Sequence, residues 1–374
     1  VPPLLDARAQ NGSVSLAWDT GRLEGIRLLR VYRREDGHDP VLLTPEGLGP
    51  EQRALVDGDV VNGASYTYRL ELDLDSGARP SSDWDEATPG TAVAWFADSD
   101  GGGLGRLSAD GRDLIGRVRE GLWYLDILPD SAEGGFWAAE YLEGALELYR
   151  RDGTRVVHRA VPGARALALE PGGANVWVGS FSTGILERRT RAGDLAWSDP
   201  DVGPIDALIS PRSGEVWAAC ATGEVRFYRD DERLFTIADF VRPVAFASSG
   251  GNRLFVLDHE ARDVRVFDHA GFPLGGTGAT FTSPTDIDGD GAGGIWVADA
   301  GRGGLVHLDG QLREIGVLPA AGVLGVTWDP EERLLWTVGD GHVRRFDPDG
   351  TLVSDLSVGV RPVKLALFHE TDPR

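Results

Sequence analysis

The chain has 374 residues, 51 of them Gly and 21 Pro, and 41% are hydrophobic; this is enough for two domains and a substantial core, in a composition that suits short strands and tight turns. It carries 59 Asp and Glu against 37 Lys and Arg, a net charge of -22, which repels phosphate backbones and argues against nucleic acid as a partner. No apolar run approaches the roughly 18 residues that suggest a membrane-spanning helix.

Two absences bear on processing. The chain contains no Met and opens at Val1-Pro2-Pro3, directly at the start of a domain. Either a leader has been removed or the chain has been trimmed; removal of a secretory signal is the favoured reading, with an extracytoplasmic location (periplasmic, secreted or cell surface). The single Cys220 allows no internal disulfide, so cysteine usage does not choose the compartment.

Residues 1–89 read as a first domain of short strands: Val14–Trp18, Ile26–Arg33, Val41–Leu43, Ala54–Val56 and Ser65–Leu72. Trp18 on an early strand, Tyr32 in Arg30-Val31-Tyr32-Arg33, and Asn62-Gly63-Ala64-Ser65-Tyr66-Thr67-Tyr68 together resemble the fibronectin type III pattern. That resemblance implies a β-sandwich whose core is packed by an early Trp and a late Tyr, a spacer or docking module of a kind common outside the cytoplasm. A linker of only Thr88–Ala92 then implies a module held close to the rest of the chain.

From residue 90 to 374 a repeat takes over. Short apolar strands centred on one aromatic recur at Trp95, Trp137, Trp177, Trp217, Phe255, Trp296 and Trp336, spaced by 42, 40, 40, 38, 41 and 40 residues. A turn follows each anchor, 14 or 16 residues on, at Gly111, Gly153, Gly193, Asp231, Gly271, Gly310 and Gly350. Within a unit the pattern predicts four antiparallel strands, as in Ile205–Ser210, Glu215–Ala219, Glu224–Arg229 and Leu234–Ala238. A four-stranded unit of about 40 residues is the size of one β-propeller blade. Trp95 lacks a first strand ahead of it, while Arg361–Leu367 repeats the opening of a unit and stops. The orphan strand is expected to complete the first blade and hide an open sheet edge. The fold class is therefore all-β: a seven-bladed β-propeller closed by a C-terminal strand and preceded by a β-sandwich. The units resemble NHL repeats and those of streptogramin lyases, most clearly in Ser283-Pro284-Thr285-Asp286-Ile287, Gly293-Gly294-Ile295-Trp296-Val297-Ala298-Asp299 and Gly304-Leu305-Val306. The resemblance implies the fold; propellers of this kind host lyases, lactonases, sugar binders and protein scaffolds alike.

Candidate site residues fall in the loops of the face where a propeller channel opens. Three residues past each anchor stand Asp98, Glu140, Ser180, Cys220, Asp258, Asp299 and Gly339, with Asp340 next. Such carboxylates either cap their own turns or form a binding rim. A second set, Asp126, Asp206 and Asp286, enters the first strands of alternate blades. Pointed into a channel, these would favour a bound cation or a basic group from a partner, unless water alone solvates them. Lys364 holds the equivalent place on the closing strand and could neutralise one of them. Asp286, Asp288 and Asp290 look like the first half of a calcium loop, but the closing position of such a loop needs Glu and here is Val297. The seven His are scattered, and only His259, in Asp258-His259-Glu260, falls in a suitable loop. Streptogramin lyases carry a His/Glu cluster with a divalent metal on this face; no Glu-x-His pair enters a first strand here. Ser-His-Asp order, phosphate-binding glycine loop, CxxC and haem motifs are absent, and Gly101–Gly105 has no helix behind it.

These features favour a non-catalytic extracytoplasmic binding or scaffolding protein that presents its loops to a protein or glycan, free or as a subunit of a cell-surface complex. No cofactor is expected beyond a possible divalent cation. The alternative is a metal-assisted lyase or lactone hydrolase with its site at the channel mouth.

Overall fold

The computed structural model describes residues 2–368 apart from 11, 22, 36–37, 62–63, 88, 90–93, 109–110, 131–133 and 250–252. Asn62-Gly63, most of the expected linker and His369 thus lie outside the described residues. The chain divides into two compact units, Val1–Ala94 with Leu107–Ile115, and Trp95–Arg106 with Gly116–Arg374. Among the described residues no helix is long and apolar enough to cross a membrane.

The first unit holds two antiparallel sheets. Leu4–Gln10, Ser13–Asp19 and Ala54–Asp57 form one, and Val41–Leu42, Ile26–Glu35, Tyr66–Leu74 and Asp85–Ala87 form the other, in that order. Alternation puts Val14, Leu16 and Trp18 inward from one sheet and Leu29, Val31, Tyr68, Leu70 and Leu72 inward from the other, giving one shared core. The two large polar aromatics find partners: Trp18 Nε1 donates to the Gln52 carbonyl at 2.8 Å, and the Tyr68 hydroxyl to Asp57 at 3.0 Å. Tyr32 stands outside this core, under the Arg69 guanidinium. Two strands escaped the sequence reading. Leu4–Gln10 leaves Leu4 exposed, and Asp85–Ala87 is mostly acidic, so neither carries a propensity signal. Pairing to a neighbour creates them, helped by Asp85, which accepts the Ala7 N–H at 2.7 Å.

The remaining strands form seven four-stranded antiparallel sheets. Blade 2 runs Tyr124–Asp130, Gly135–Glu140, Ala145–Arg150, Arg155–Ala160. Blade 3 runs Ala164–Leu169, Asn175–Ser180, Leu186–Thr190, Leu195–Asp199. Blade 4 runs Ile205–Ile209, Glu215–Cys220, Glu224–Arg229, Glu232–Ile237. Blade 5 runs Pro243–Ser249, Arg253–Asp258, Asp263–Asp268, Pro273–Gly276. Blade 6 runs Pro284–Gly289, Ile295–Asp299, Gly304–Leu308, Glu314–Pro319. Blade 7 runs Gly325–Asp329, Leu334–Gly339, His342–Phe346, Leu352–Ser357. Blade 1 is the composite: Ala94–Asp98, Leu104–Leu107 and Leu114–Val118 come from its start, and Pro362–Leu367 pairs beside Ala94–Asp98 as its innermost strand. The first strands neighbour one another in an unbroken circle, with Pro362–Leu367 touching both Tyr124–Asp130 and Gly325–Asp329. The ring is closed by the tail.

The repeated aromatics are the wedges between blades. Trp177 of blade 3 packs with Ile205, Val216 and Tyr228 of blade 4; Trp217 with Leu254, Val256 and Phe267 of blade 5; Phe255 with Ile287, Ile295 and Val297 of blade 6. Trp137 and Trp296 do the same toward blades 3 and 7. All seven anchors are at most 2% exposed, so they belong to the core. The turns also follow the sequence, with Gly111, Gly153, Gly193, Asp231, Gly271 and Gly350 at positive φ. In blade 6 the left-handed residue is Leu312 and not Gly310, because Asp309 folds the turn by accepting the N–H groups of Gln311 and Arg313.

Candidate functional site

The carboxylates three residues past the anchors are wholly buried and committed to backbone N–H groups. Asp98 accepts from Asp100 and Gly102 at 2.8 and 2.7 Å, and Glu140 from Leu142, Glu143 and Gly144 at 2.7–3.0 Å. Asp258 takes Val241, Arg242 and Ala261; Asp299 takes Thr282, Ser283, Gly301 and Arg302. Asp258 and Asp299 thereby tie the loop after their own strand to the loop that enters their blade. Gly102 has to lack a side chain, since a Cβ there would lie 2.7 Å from the Asp98 carboxyl carbon. Ser180 fills the same place in blade 3, accepting the Thr183 N–H at 3.2 Å. Cys220 fills it in blade 4, where burial pushes its thiol up to about 12. Asp340 differs: it is exposed, at φ 50.

The innermost strands carry a second, more intimate set of charges. Asp126 accepts the N–H groups of Ile127 and, one blade on, Leu167; Asp286 accepts that of Val326, and Asp288 that of Trp328. Each links its strand to the next blade through a bond 40 or 41 residues long in sequence. Lys364 reaches past blade 7 to Asp286, Nζ to Oδ1 2.6 Å. Gly325 makes that reach possible, because a Cβ on it would stand 2.6 Å from the Val363 carbonyl and 3.4 Å from Asp286. Asp206 lies between two arginines, with Arg165 Nη2 at 2.7 Å and Arg242 Nε at 3.4 Å. Cations on blades 1, 3 and 5 therefore alternate with carboxylates on blades 2, 4 and 6, and charges that would repel across a channel are balanced by their neighbours. Burial pushes Asp126 and Asp288 up to about 6, with Lys364 opposing that rise in both. Burial works to lower Lys364, but the attraction of Asp286 and Asp126 outweighs it and holds the ammonium above its ordinary value.

Arg165 and Arg242 escaped the sequence reading for a structural reason. Asp126 and Asp206 both stand 11 residues before their anchors and Asp286 stands 10, and a bulge enters the first strand of blades 2 to 6. Asp126 and Asp286 lie in register, opposite Ala139 and Ala298, whereas Asp206 is itself the bulged residue. It shares that place with Arg165, so the two side chains meet. For Arg165 the available signal was an Arg one residue before the expected acidic position; Arg242 stands just ahead of its first strand, 13 residues before Phe255, and follows no such count.

No family model matches the chain, and no curated protein sequence matches it. Among solved structures it is similar to a functionally unknown protein from Desulfotomaculum acetoxidans DSM 771, with TM-score 0.62 and 14% identity over 74% of this chain and 98% of that one. It is also similar to the WD40 β-propeller domain of Doa1, with TM-score 0.55 and 10% identity over 64% of this chain and 84% of that one. The ring is a β-propeller. Likeness at such identity carries the fold alone.

Elsewhere on the propeller, other polar groups are drawn together. A cleft of about 620 Å³ lies between blades 7 and 1, lined by Asp100, Leu324, Asp340, Ser357 and Arg361. In blade 2, fully buried Glu147 receives the hydroxyls of Tyr124 and Tyr149 at 2.5 and 2.6 Å, Arg155 at 2.6 Å and His158 at 2.9 Å. Burial works to raise Glu147, yet those four donors outweigh it and hold the carboxyl below its usual range. His259 Nδ1 lies 2.6 Å from the Pro284 carbonyl, while His307 and His342 pair with Asp290 and Asp355 in other blades. Asp290 also folds its own turn by accepting from Ala292 and Gly294, so it points away from the interblade bonds of Asp286 and Asp288. Among the described residues no three His, Cys, Asp or Glu side chains are grouped to hold a metal ion.

Proposed function

We propose that the chain is a non-catalytic binding or scaffolding protein that works outside the cytoplasm, its propeller loops offered to a protein or glycan partner. The observation that carries this reading is the use made of the carboxylates. Asp98, Glu140, Asp258 and Asp299 accept two to four backbone N–H groups each, and Asp126, Asp286 and Asp288 tie one blade to the next. Groups engaged in this way set the geometry of the loops and are poorly placed to move protons or bind metal. What they leave is a rigid frame with exposed loop tips, the arrangement on which binding surfaces are usually built. The N-terminal β-sandwich, resembling a fibronectin type III module, would serve as spacer or second contact. The acidic surface suits a partner with a basic face as well as simple solubility.

The test is capture. The full chain, immobilised and exposed to envelope and secreted fractions of its own source, is expected to retain one protein or glycan at near-stoichiometric amount. Retention of nothing, together with turnover of lactone substrates that depends on an added divalent ion, would overturn the proposal.

A further inference from the structure

The alternating ring of charges is not symmetric. Across blades 3 to 5 it runs Arg165, Asp206, Arg242, two cations around one carboxylate, and this arc stands out on a chain of net charge -22. Asp206 is the fixed point: its side chain is 1% exposed, and the two guanidiniums converge on it from the flanking blades. Arg165 is held further by the face of Phe181, 4.8 Å from the ring centroid. Both arginines keep part of their surface open, 31% for Arg165 and 37% for Arg242. Arg242 engages Asp206 through Nε alone, so among the described residues neither of its Nη groups has a protein partner. Arg165 brings Nη2 to 2.7 Å from Asp206 Oδ1 as an ion pair, without hydrogen-bond geometry. A guanidinium carries five N–H donors in a rigid fork, so the pair presents a fan of oriented, unused donors at the channel mouth.

We propose that Arg165 and Arg242, oriented by Asp206, form a subsite for the carboxylate of an acidic sugar; the proposal rests on the binding-module reading above and names its ligand. Charge sets the class. Two guanidiniums here share one carboxylate within a ring that is balanced as a whole, so the singly charged carboxylate of a ligand suits them better than a phosphate dianion, which would add two charges to an already acidic protein. The surroundings set the sugar. The loops beside the arc carry exposed Ser182, Thr183 and Thr222, hydroxyls that can meet sugar hydroxyls, and Phe181 adds an apolar edge. Planar two-pronged donors recognise a carboxylate better than the point charge of a lysine would.

The experiment is calorimetric titration of the full chain with tetragalacturonate, maltotetraose and a tetraglutamate peptide, at about 50 and about 300 mM NaCl, which bracket strong and weak screening. Tetragalacturonate is expected to bind and maltotetraose is not, with affinity falling several-fold at the higher salt. Arg165→Gln with Arg242→Gln is expected to weaken binding by about tenfold or more, the loss of a charged hydrogen bond. Arg242→Gln alone, which breaks only the longer contact to Asp206, gives a milder variant should the double one fold poorly, and it is expected to weaken binding several-fold. Free galacturonate separates a lone carboxylate from one carried on a chain: weaker binding of the monomer points to the chain, equal binding to the single sugar acid, and both fit the subsite. No binding of either uronate, equal binding of maltotetraose, binding of the peptide alone, or an affinity within twofold in both variants would overturn the assignment. If a partner captured by the wild-type chain is retained equally by the double variant, the binding-module reading stands and the channel-mouth subsite falls.

Discussion

Replacing the only lysine tests how the ring is latched. Lys364→Met removes the ammonium that lies 2.6 Å from Asp286, whose side chain is 3% exposed. At an effective dielectric of about 20, two charges at that distance attract by about 6 kcal/mol, and part of this is offset by the desolvation that the variant no longer suffers. Losing one partner of a buried pair costs about 3–5 kcal/mol; the lower end applies, because 38% of the Lys364 side chain stays open to the channel. The variant is therefore expected to lose about 3 kcal/mol at pH 7, which for a propeller of this size lowers Tm by about 5 °C. The loss also has a pH signature. Asp126 and Asp288 already sit at about 6 in the folded chain against 3.8 when unfolded, and both feel Lys364. Between those two values the folded state holds more protons than the unfolded one, so their contribution to stability falls as pH rises. Without Lys364 the folded values rise further, so acidification to pH 5 is expected to recover part of the loss. Thermal unfolding followed by tryptophan fluorescence reads this directly, since six of the eleven Trp are blade anchors. A variant as stable as wild type at pH 7, or one harmed more at pH 5 than at pH 7, would refute the latch.

Truncation after Gly359 removes the innermost strand of blade 1 and leaves Ala94–Asp98 as an open apolar edge; size-exclusion chromatography is expected to show aggregation where the full chain runs as a discrete species. Gly325→Val places a Cβ about 2.6 Å from the Val363 carbonyl, and a loss of about 1–3 kcal/mol is expected in urea unfolding. Trp177→Ala empties the wedge between blades 3 and 4, with an expected loss of about 3–5 kcal/mol by the same assay. Tyr124→Phe deletes one charged hydrogen bond to buried Glu147, a loss of about 2 kcal/mol at pH 7. Because Glu147 is held below its ordinary 4.5, its contribution is present above that value and disappears as pH falls through the folded one. The Tyr124→Phe penalty is therefore expected to shrink below pH 4.5 in stability measurements.

The architecture was legible in the chain because its determinants are local and repeated. An aromatic about every 40 residues, a turn at fixed offset and alternation within each strand are short-range signals, and each blade writes them again. Even closure could be read, since Arg361–Leu367 begins a unit that has no continuation. The strands Leu4–Gln10 and Asp85–Ala87 could not, because they exist through their partners and not through their own residues. The charge pattern at the channel was also decided in three dimensions. Sequence counting grouped three aspartates, but Asp206 is the bulged residue of its strand, the place Arg165 holds in blade 3, whereas Asp126 and Asp286 lie in register; Asp126 does so at the same count because Trp137 pairs with Leu128, one residue further off than Ile209 is from Trp217. Side-chain direction on a strand reverses with every residue, so one bulge changes which charges meet. Periodic burial thus fixed the number of blades from sequence, while only the packed ring determined that Lys364 finds Asp286 across a glycine and that two arginines share one buried carboxylate.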